Sequence, residues 1–159
     1  MFYRRNLPHL QRDDKQLFIT FATYQRNFLP EWARDIVLSS CIHDHEKCYL
    51  LHAAVIMADH VHLILTPLVD RDRLEVCYLP DILDAIKGAS SHMINKKRGA
   101  RGPVWHEESF DHVLRSSESL EEKIRYVIEN PIRRGLVSSG TEYRWRWCWS
   151  PVAQRSLLG

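Results

Sequence analysis

The sequence predicts an α+β domain of the ferredoxin-like kind, ordered β-α-β-β-α-β-α, with an antiparallel sheet and helices mainly on one face. Three observations lead there. Short runs rich in β-branched and aromatic residues recur at 16–23, 49–57, 60–66 and 104–114. Apolar residues at helical spacing fill 31–47, 81–97 and 117–130. Finally, Ala58-Asp59 leaves room for nothing but a tight hairpin between the second and third strands. Split β-α-β units in this order close into one antiparallel sheet.

Each element has a local cause. Residues 1–15 are polar and irregular, with Arg4, Arg5, Pro8 and Arg12, and read as an N-terminal arm. Leu17, Phe18, Ile19, Thr20 and Phe21 make the first strand. Glu31–Lys47 follows Pro30 and carries Ile36, Val37, Ser40 and Cys41 near helical spacing, a first helix. Pro67–Leu79 is a charged connection. Asp81–Lys97 places Ile82, Ile86 and Met93 on one side and stops at Gly99-Ala100-Arg101-Gly102-Pro103. The fourth strand, Val104–Leu114, is expected to be interrupted near Glu107–Ser109. Ser117 suits the N-cap of a third helix, with Glu118, Glu121 and Glu122 near its positive end and Asn130-Pro131 bending or ending it. The domain thus runs over 16–137, and 138–159 is an Arg/Trp-rich tail without clear periodicity.

Composition bounds the rest. The 159 residues are 45% hydrophobic and 26% charged, which suits one globular domain and not a disordered chain. No apolar run approaches the ~18 residues of a membrane span, and the N-terminus lacks a secretory signal. Cys41, Cys48, Cys77 and Cys148 form no Cys-x-x-Cys pair, so a cytoplasmic location is expected. A net charge of +2 hides strong segregation. Ala85–His106 has no acid but holds Lys87, Lys96, Lys97, Arg98 and Arg101; beyond Pro131, five arginines face only Glu142. Such a distribution can build a basic surface for a polyanion on a nearly neutral protein.

Chemistry centres on Met57-Ala58-Asp59-His60-Val61-His62. On a strand, His60 and His62 at i and i+2 share one face and can reach one metal ion. The same reading fits two polar residues on a wet face. His43 and His45 repeat the spacing, but on a helix i and i+2 diverge by about 160°. On the third helix Leu120, Ile124, Val127 and Ile128 fall within a roughly 100° stripe, and Tyr126 lies about 150° from its centre. Tyr126 and Asn130, i and i+4, share a face that offers a phenol beside an amide able to ligate a hard metal.

His60-Val61-His62 after Met57-Ala58-Asp59, together with Tyr126-Val127-Ile128-Glu129-Asn130-Pro131-Ile132-Arg133-Arg134-Gly135-Leu136-Val137, resembles the single-tyrosine HUH (His-hydrophobic-His) transposases, in particular the REP-associated tyrosine transposases. Gly102-Pro103-Val104-Trp105-His106 and Phe110-Asp111-His112-Val113-Leu114-Arg115 are similar as well, and the likeness covers roughly 16–150. Ala58 departs from the family, which commonly has proline before Asp-His, and the tail is longer than the usual Trp-Ser-Ser.

The resemblance implies DNA transposition and recombination chemistry: metal-dependent cleavage and rejoining of single-stranded DNA at hairpins of palindromic repeats. Tyr126 would be the nucleophile of a 5′-phosphotyrosine intermediate. His60, His62 and Asn130 would hold Mg²⁺ or Mn²⁺, with imidazole tilting the choice toward Mn²⁺. A free phenol, with a pKa near ~10, needs such help at neutral pH. Lys96, Lys97, Arg98, Arg101, Arg133 and Arg134 are candidate phosphate contacts, and Trp105 or the tail tryptophans candidate stacking platforms. The expected partner is single-stranded or hairpin DNA and no membrane, the protein being a monomer or homodimer in the cytoplasm and on the nucleoid when bound. The alternative is a non-catalytic hairpin-binding descendant of such an enzyme.

Overall fold

A computed structural model describes residues 15–70, 75–115, 119–138 and 142–149. Its elements are β1 (Leu17–Thr23), α1 (Glu31–Ile42), β2 (Tyr49–Ile56), β3 (His60–Pro67), the two-residue strands β4 (Val69–Asp70) and β5 (Glu75–Val76), α2 (Leu79–Arg98), β6 (Trp105–Val113), α3 (Leu120–Ile128), a single-turn α4 (Asn130–Arg133) and β7 (Arg146–Cys148). The main sheet has the order β6-β1-β3-β2-β7, and every pairing in it is antiparallel. Its first four strands reproduce the expected β-α-β-β-α-β frame.

Strand alternation sets the two layers. Phe21, Ile19 and Leu17 oppose Val61, Leu63 and Leu65 across the β1–β3 pair, so all six share one face. That face is covered by α1 and α2: Lys87 of α2 sits over the Phe21 ring at 5.2 Å, and the Tyr49 hydroxyl donates to the Cys41 carbonyl at 2.7 Å. Phe18, Thr20 and His62 lie on the other face, against α3. Ile124, Val127 and Ile128 are buried there, as their helical stripe requires. Two long helices on one face and a shorter one on the other therefore enclose the β1–β3–β2 centre of the sheet. Among the described residues no helix is long and apolar enough to cross a membrane.

Several local expectations shift. The first helix ends at Ile42, because His45 bridges to Tyr49 and Glu46 adopts φ 71, which no helix tolerates; His43 and His45 follow the helix and do not lie on it. Met93 is 48% exposed, and the buried side of α2 continues instead through Ser90 and Ile94. Gly99, at φ 65, closes that helix where the sequence stops it. The irregularity expected near Glu107–Ser109 is present, since between Trp105 and Ser109 four steps of β6 face two of β1. Ser117 lies outside the described residues; Ser119 caps α3, accepting from the Glu122 amide at 3.3 Å. The N-terminal arm, but for Lys15, also lies outside them.

The largest difference concerns the segment read as a tail. Arg146–Cys148 adds a fifth strand to the edge of β2, and the chain before it is locked down. The Tyr143 hydroxyl donates to the Ile56 carbonyl at 2.6 Å, and Trp145 Nε1 donates to Asp35 at 2.8 Å. A three-residue strand is too short to leave a period in the sequence; its signal is pairing with a distant edge.

Candidate active site

The β2–β3 hairpin places the histidines at one end of the sheet. Met57 N donates to the His60 carbonyl at 2.8 Å to close the turn, and the turn carbonyls of Asp59 and Ala58 accept from Thr23 N and Leu29 N at 2.9 and 2.7 Å. Three chain segments thereby fix the backbone of Asp59-His60. His60 is buried, and its ring lies 4.8 Å, centroid to centroid, from that of His62.

Each imidazole is oriented by a second group. His60 Nδ1 is 2.7 Å from Asp59 Oδ1; a carboxylate only accepts, so Nδ1 carries the proton and Nε2 of the neutral ring keeps its lone pair. His62 Nδ1 is 2.8 Å from Thr20 Oγ1, which leaves Nε2 as its free ring atom too, and the ring stacks on Phe18 at 5.7 Å. This pairing of a ligand-type imidazole with an orienting oxygen is the usual support of a metal-binding histidine. Burial pulls the Asp59 carboxyl up, but the His60 hydrogen bond and the Arg26 and Arg134 charges outweigh it and hold it below its ordinary value.

Both rings are neutral near pH 7. Burial, followed by the neighbouring His60 and then Arg134 and Arg133, lowers His62 to about 4, and burial lowers His60 against the opposing pull of Asp59. His52, buried against Thr66, is likewise lowered to about 4. These shifts have a sign. The unfolded chain takes up these protons near 6.5 and the folded chain only near 4, so stability is full above about 6.5 and falls as pH drops through that window. The midpoint of urea unfolding is therefore expected to be lower at pH 4.5 than at pH 7.5; equal midpoints would contradict the burial of neutral histidines.

The helical half of the site arrives on α3 and α4. Tyr126 stands off the buried stripe and is 55% exposed. A break at Glu129 separates the helices, yet Tyr126 and Asn130 still line the same cavity of about 320 Å³, with Phe18, Thr20, His62, Lys123, Val127, Arg133 and Arg134. Arg133 lies over the Tyr126 ring at 3.9 Å and its guanidinium donates to the Tyr126 carbonyl; Lys123 stands 5.3 Å from that ring and 5.1 Å from Phe18. Two cations thus flank the phenol ring, and Arg134 lines the same cavity.

A divalent ion fits this donor set in part. Among the described residues no three His, Cys, Asp or Glu side chains gather into a metal-binding group, so a third protein ligand must come from another residue type. Asn130 is the suitable neighbour: its amide Nδ2 is buried without a hydrogen-bond partner. Exchanging amide nitrogen and oxygen, which are assigned from their surroundings, turns that orphaned donor into a ligand oxygen.

His60 is not among the residues that line the cavity, and of the other candidates only Arg133 and Arg134 do. Lys96, Lys97, Arg98 and Arg101 are exposed at the C-terminal end of α2, where Lys97 and Arg98 stand over Trp32 at 4.8 and 5.8 Å. Trp105 is buried: its edge meets Phe21 and its Nε1 donates to Ser90 at 2.9 Å, so its ring offers no open stacking face. Trp145 is similarly buried, whereas Trp149 is 40% exposed. Sequence reasoning missed Thr20 and Lys123. Thr20 faces His62 across the sheet, which a register assignment would have exposed, and Lys123 lies one helical turn before Tyr126.

No protein-family profile matches the chain, and no curated protein matches it. Solved structures do. The structure of a REP-associated tyrosine transposase bound to a REP hairpin superposes with a TM-score of 0.66, covering 84% of this chain and 76% of that one at 17% identity. A candidate transposase from Deinococcus radiodurans R1 gives a TM-score of 0.47, covering 73% of this chain and 90% of that one at 24% identity. Over 84% of its length, this chain has the fold of a REP-associated tyrosine transposase.

Proposed function

We propose that the protein cleaves and rejoins single-stranded DNA beside a hairpin, with Tyr126 as nucleophile and a divalent ion, Mg²⁺ or Mn²⁺, held by His60, His62 and Asn130. The observation that carries this reading is that Tyr126, His62 and Asn130, brought together from β3, α3 and α4, line one cation-rich cavity of a single chain. The shared fold supports it.

In the reaction, Tyr126 Oη attacks the scissile phosphorus and the bond to the 3′-oxygen breaks. The phenol's proton passes to solvent, and the departing 3′-oxygen takes one up. A 5′-phosphotyrosine and a free 3′-hydroxyl result, and attack by a 3′-hydroxyl reverses the step without net hydrolysis. The ion, when bound, supplies charge to the phosphate oxygens and orients the displacement. Lys123, Arg133 and Arg134 hold the phosphate against Tyr126 and offset its developing charge. Phe18 and Thr20 keep the His62 ring turned toward the cavity. The site is read as complete within one chain, so a monomer is competent.

The test is a denaturing gel of the protein with a 5′-tailed hairpin oligodeoxynucleotide and Mn²⁺ or Mg²⁺. A covalent protein–DNA band supports the reading; binding without that band favours a non-catalytic hairpin binder. Salt gives a second prediction. If Lys96, Lys97, Arg98, Arg101, Arg133 and Arg134 each neutralise a phosphate, the logarithm of affinity falls with that of salt at a slope of about −4 for single-stranded DNA. A flat response would remove them from the interface.

A further inference from the structure

The connection from β1 to α1 is held in a conformation that its residues do not favour. Gln25 and Arg26, neither of them glycine, are both left-handed, at φ 53 and 56. Side chains resist that region, and two in succession persist only where the surroundings enforce them. Here they are enforced from three sides. Tyr24 N donates to the Val104 carbonyl at 2.9 Å, Leu29 N donates to the Ala58 carbonyl at 2.7 Å, and Arg26 Nε lies 3.4 Å from Asp59 Oδ2. Leu29 is buried as the anchor.

The result is a display of aromatic rings. Phe28 is 75% exposed, the most exposed large hydrophobic among the described residues, and Tyr24 is 39% exposed. At the start of α1, Trp32 is half-buried against the core and carries Lys97 and Arg98 over its ring. Between Tyr24 and Arg34 the chain has one acid, Glu31, against two arginines. Rings interleaved with cations are what an unpaired nucleic acid strand requires: bases stack on the rings while the cations follow the phosphates. An apolar protein partner would call for contiguous apolar surface instead. Arg26, two residues past Tyr24, reaches Asp59, the residue that orients His60, so the strip adjoins the turn that bears the histidines.

We propose that this strip, from Tyr24 and Phe28 to Trp32 with Lys97 and Arg98, is a stacking platform for unpaired bases of the DNA strand that leaves the active-site cavity. The inference rests on the single-stranded DNA reading above and adds where the strand runs. Phe28 takes a base on its open face. Arg26 serves the platform through Asp59, tying the turn to the hairpin that bears the histidines.

Oligothymidylate carrying a single 2-aminopurine, titrated with the full chain, tests this. Wild-type protein is expected to change the probe's fluorescence as the base stacks. Phe28→Ala is expected to bind roughly tenfold more weakly and to lose that change, while Phe28→Trp restores both. Phe28 is exposed, so both variants should fold, which unchanged thermal unfolding checks. If Phe28→Ala binds and reports like wild type while the wild-type protein still forms covalent adducts, the platform is wrong and the proposed function stands. If the wild-type protein neither binds the probe nor forms adducts, both fall.

Discussion

Tyr126→Phe is expected to abolish the covalent protein–DNA band while changing DNA affinity by no more than about twofold. The asymmetry follows from the geometry. The substitution removes one oxygen, the attacking atom on the proposed mechanism, and keeps the ring that Arg133 covers at 3.9 Å and Lys123 approaches at 5.3 Å. Because Tyr126 is 55% exposed and off the buried stripe of α3, stability should change by less than about 0.5 kcal/mol. Loss of the band therefore reports chemistry and not unfolding. A persisting adduct in Tyr126→Phe would remove Tyr126 from the mechanism. Turnover without any adduct in the wild type would point instead to attack by water.

His60→Ala and His62→Ala are each expected to lower metal-dependent cleavage by more than about 100-fold, and EDTA should do the same to the wild type. That bound follows because removing merely the group behind a metal-binding histidine already costs roughly 10- to 100-fold in metal affinity. Asp59→Asn supplies the internal comparison. It leaves both rings in place but weakens the hydrogen bond to His60 Nδ1, so metal affinity should fall within that 10- to 100-fold range. Added Mn²⁺ should partly rescue Asp59→Asn and not His60→Ala. Undiminished cleavage in EDTA would contradict any metal role for the pair.

How legible the site was in the sequence depended on the range of each interaction. His60 and His62 could be placed on one face because strand alternation is local, and Tyr126 could be set off the buried stripe because helical periodicity is local too. Their convergence was not local. It depends on the β1–β3 register that sets Thr20 against His62, and on a helix break at Glu129 that still leaves Asn130 in the cavity of Tyr126. The break itself carries the mark of Pro131, which the sequence displays, but the direction in which the chain resumes belongs to tertiary packing. Trp105 shows the limit from the other side. Its position in a basic stretch suggested a stacking surface, whereas packing against Phe21 and a hydrogen bond to Ser90 make it core. Residues 142–149 looked aperiodic because they are held by distant partners, Asp35 and Ile56, and by the edge of β2. In the same way, nothing in Tyr24-Gln25-Arg26 announces two left-handed residues; Val104, Ala58 and Asp59 impose them from elsewhere in the chain.

The most direct test of the central claim, a tyrosine nucleophile serving a histidine pair within one chain, is to trap the adduct, digest it and locate the attached nucleotide by tandem mass spectrometry. The account predicts a 5′-phosphate on the Tyr126 side chain, recovered equally when an excess of Tyr126→Phe chains is mixed in. Attachment to any other residue, or no attached nucleotide where DNA has been cut, would contradict it.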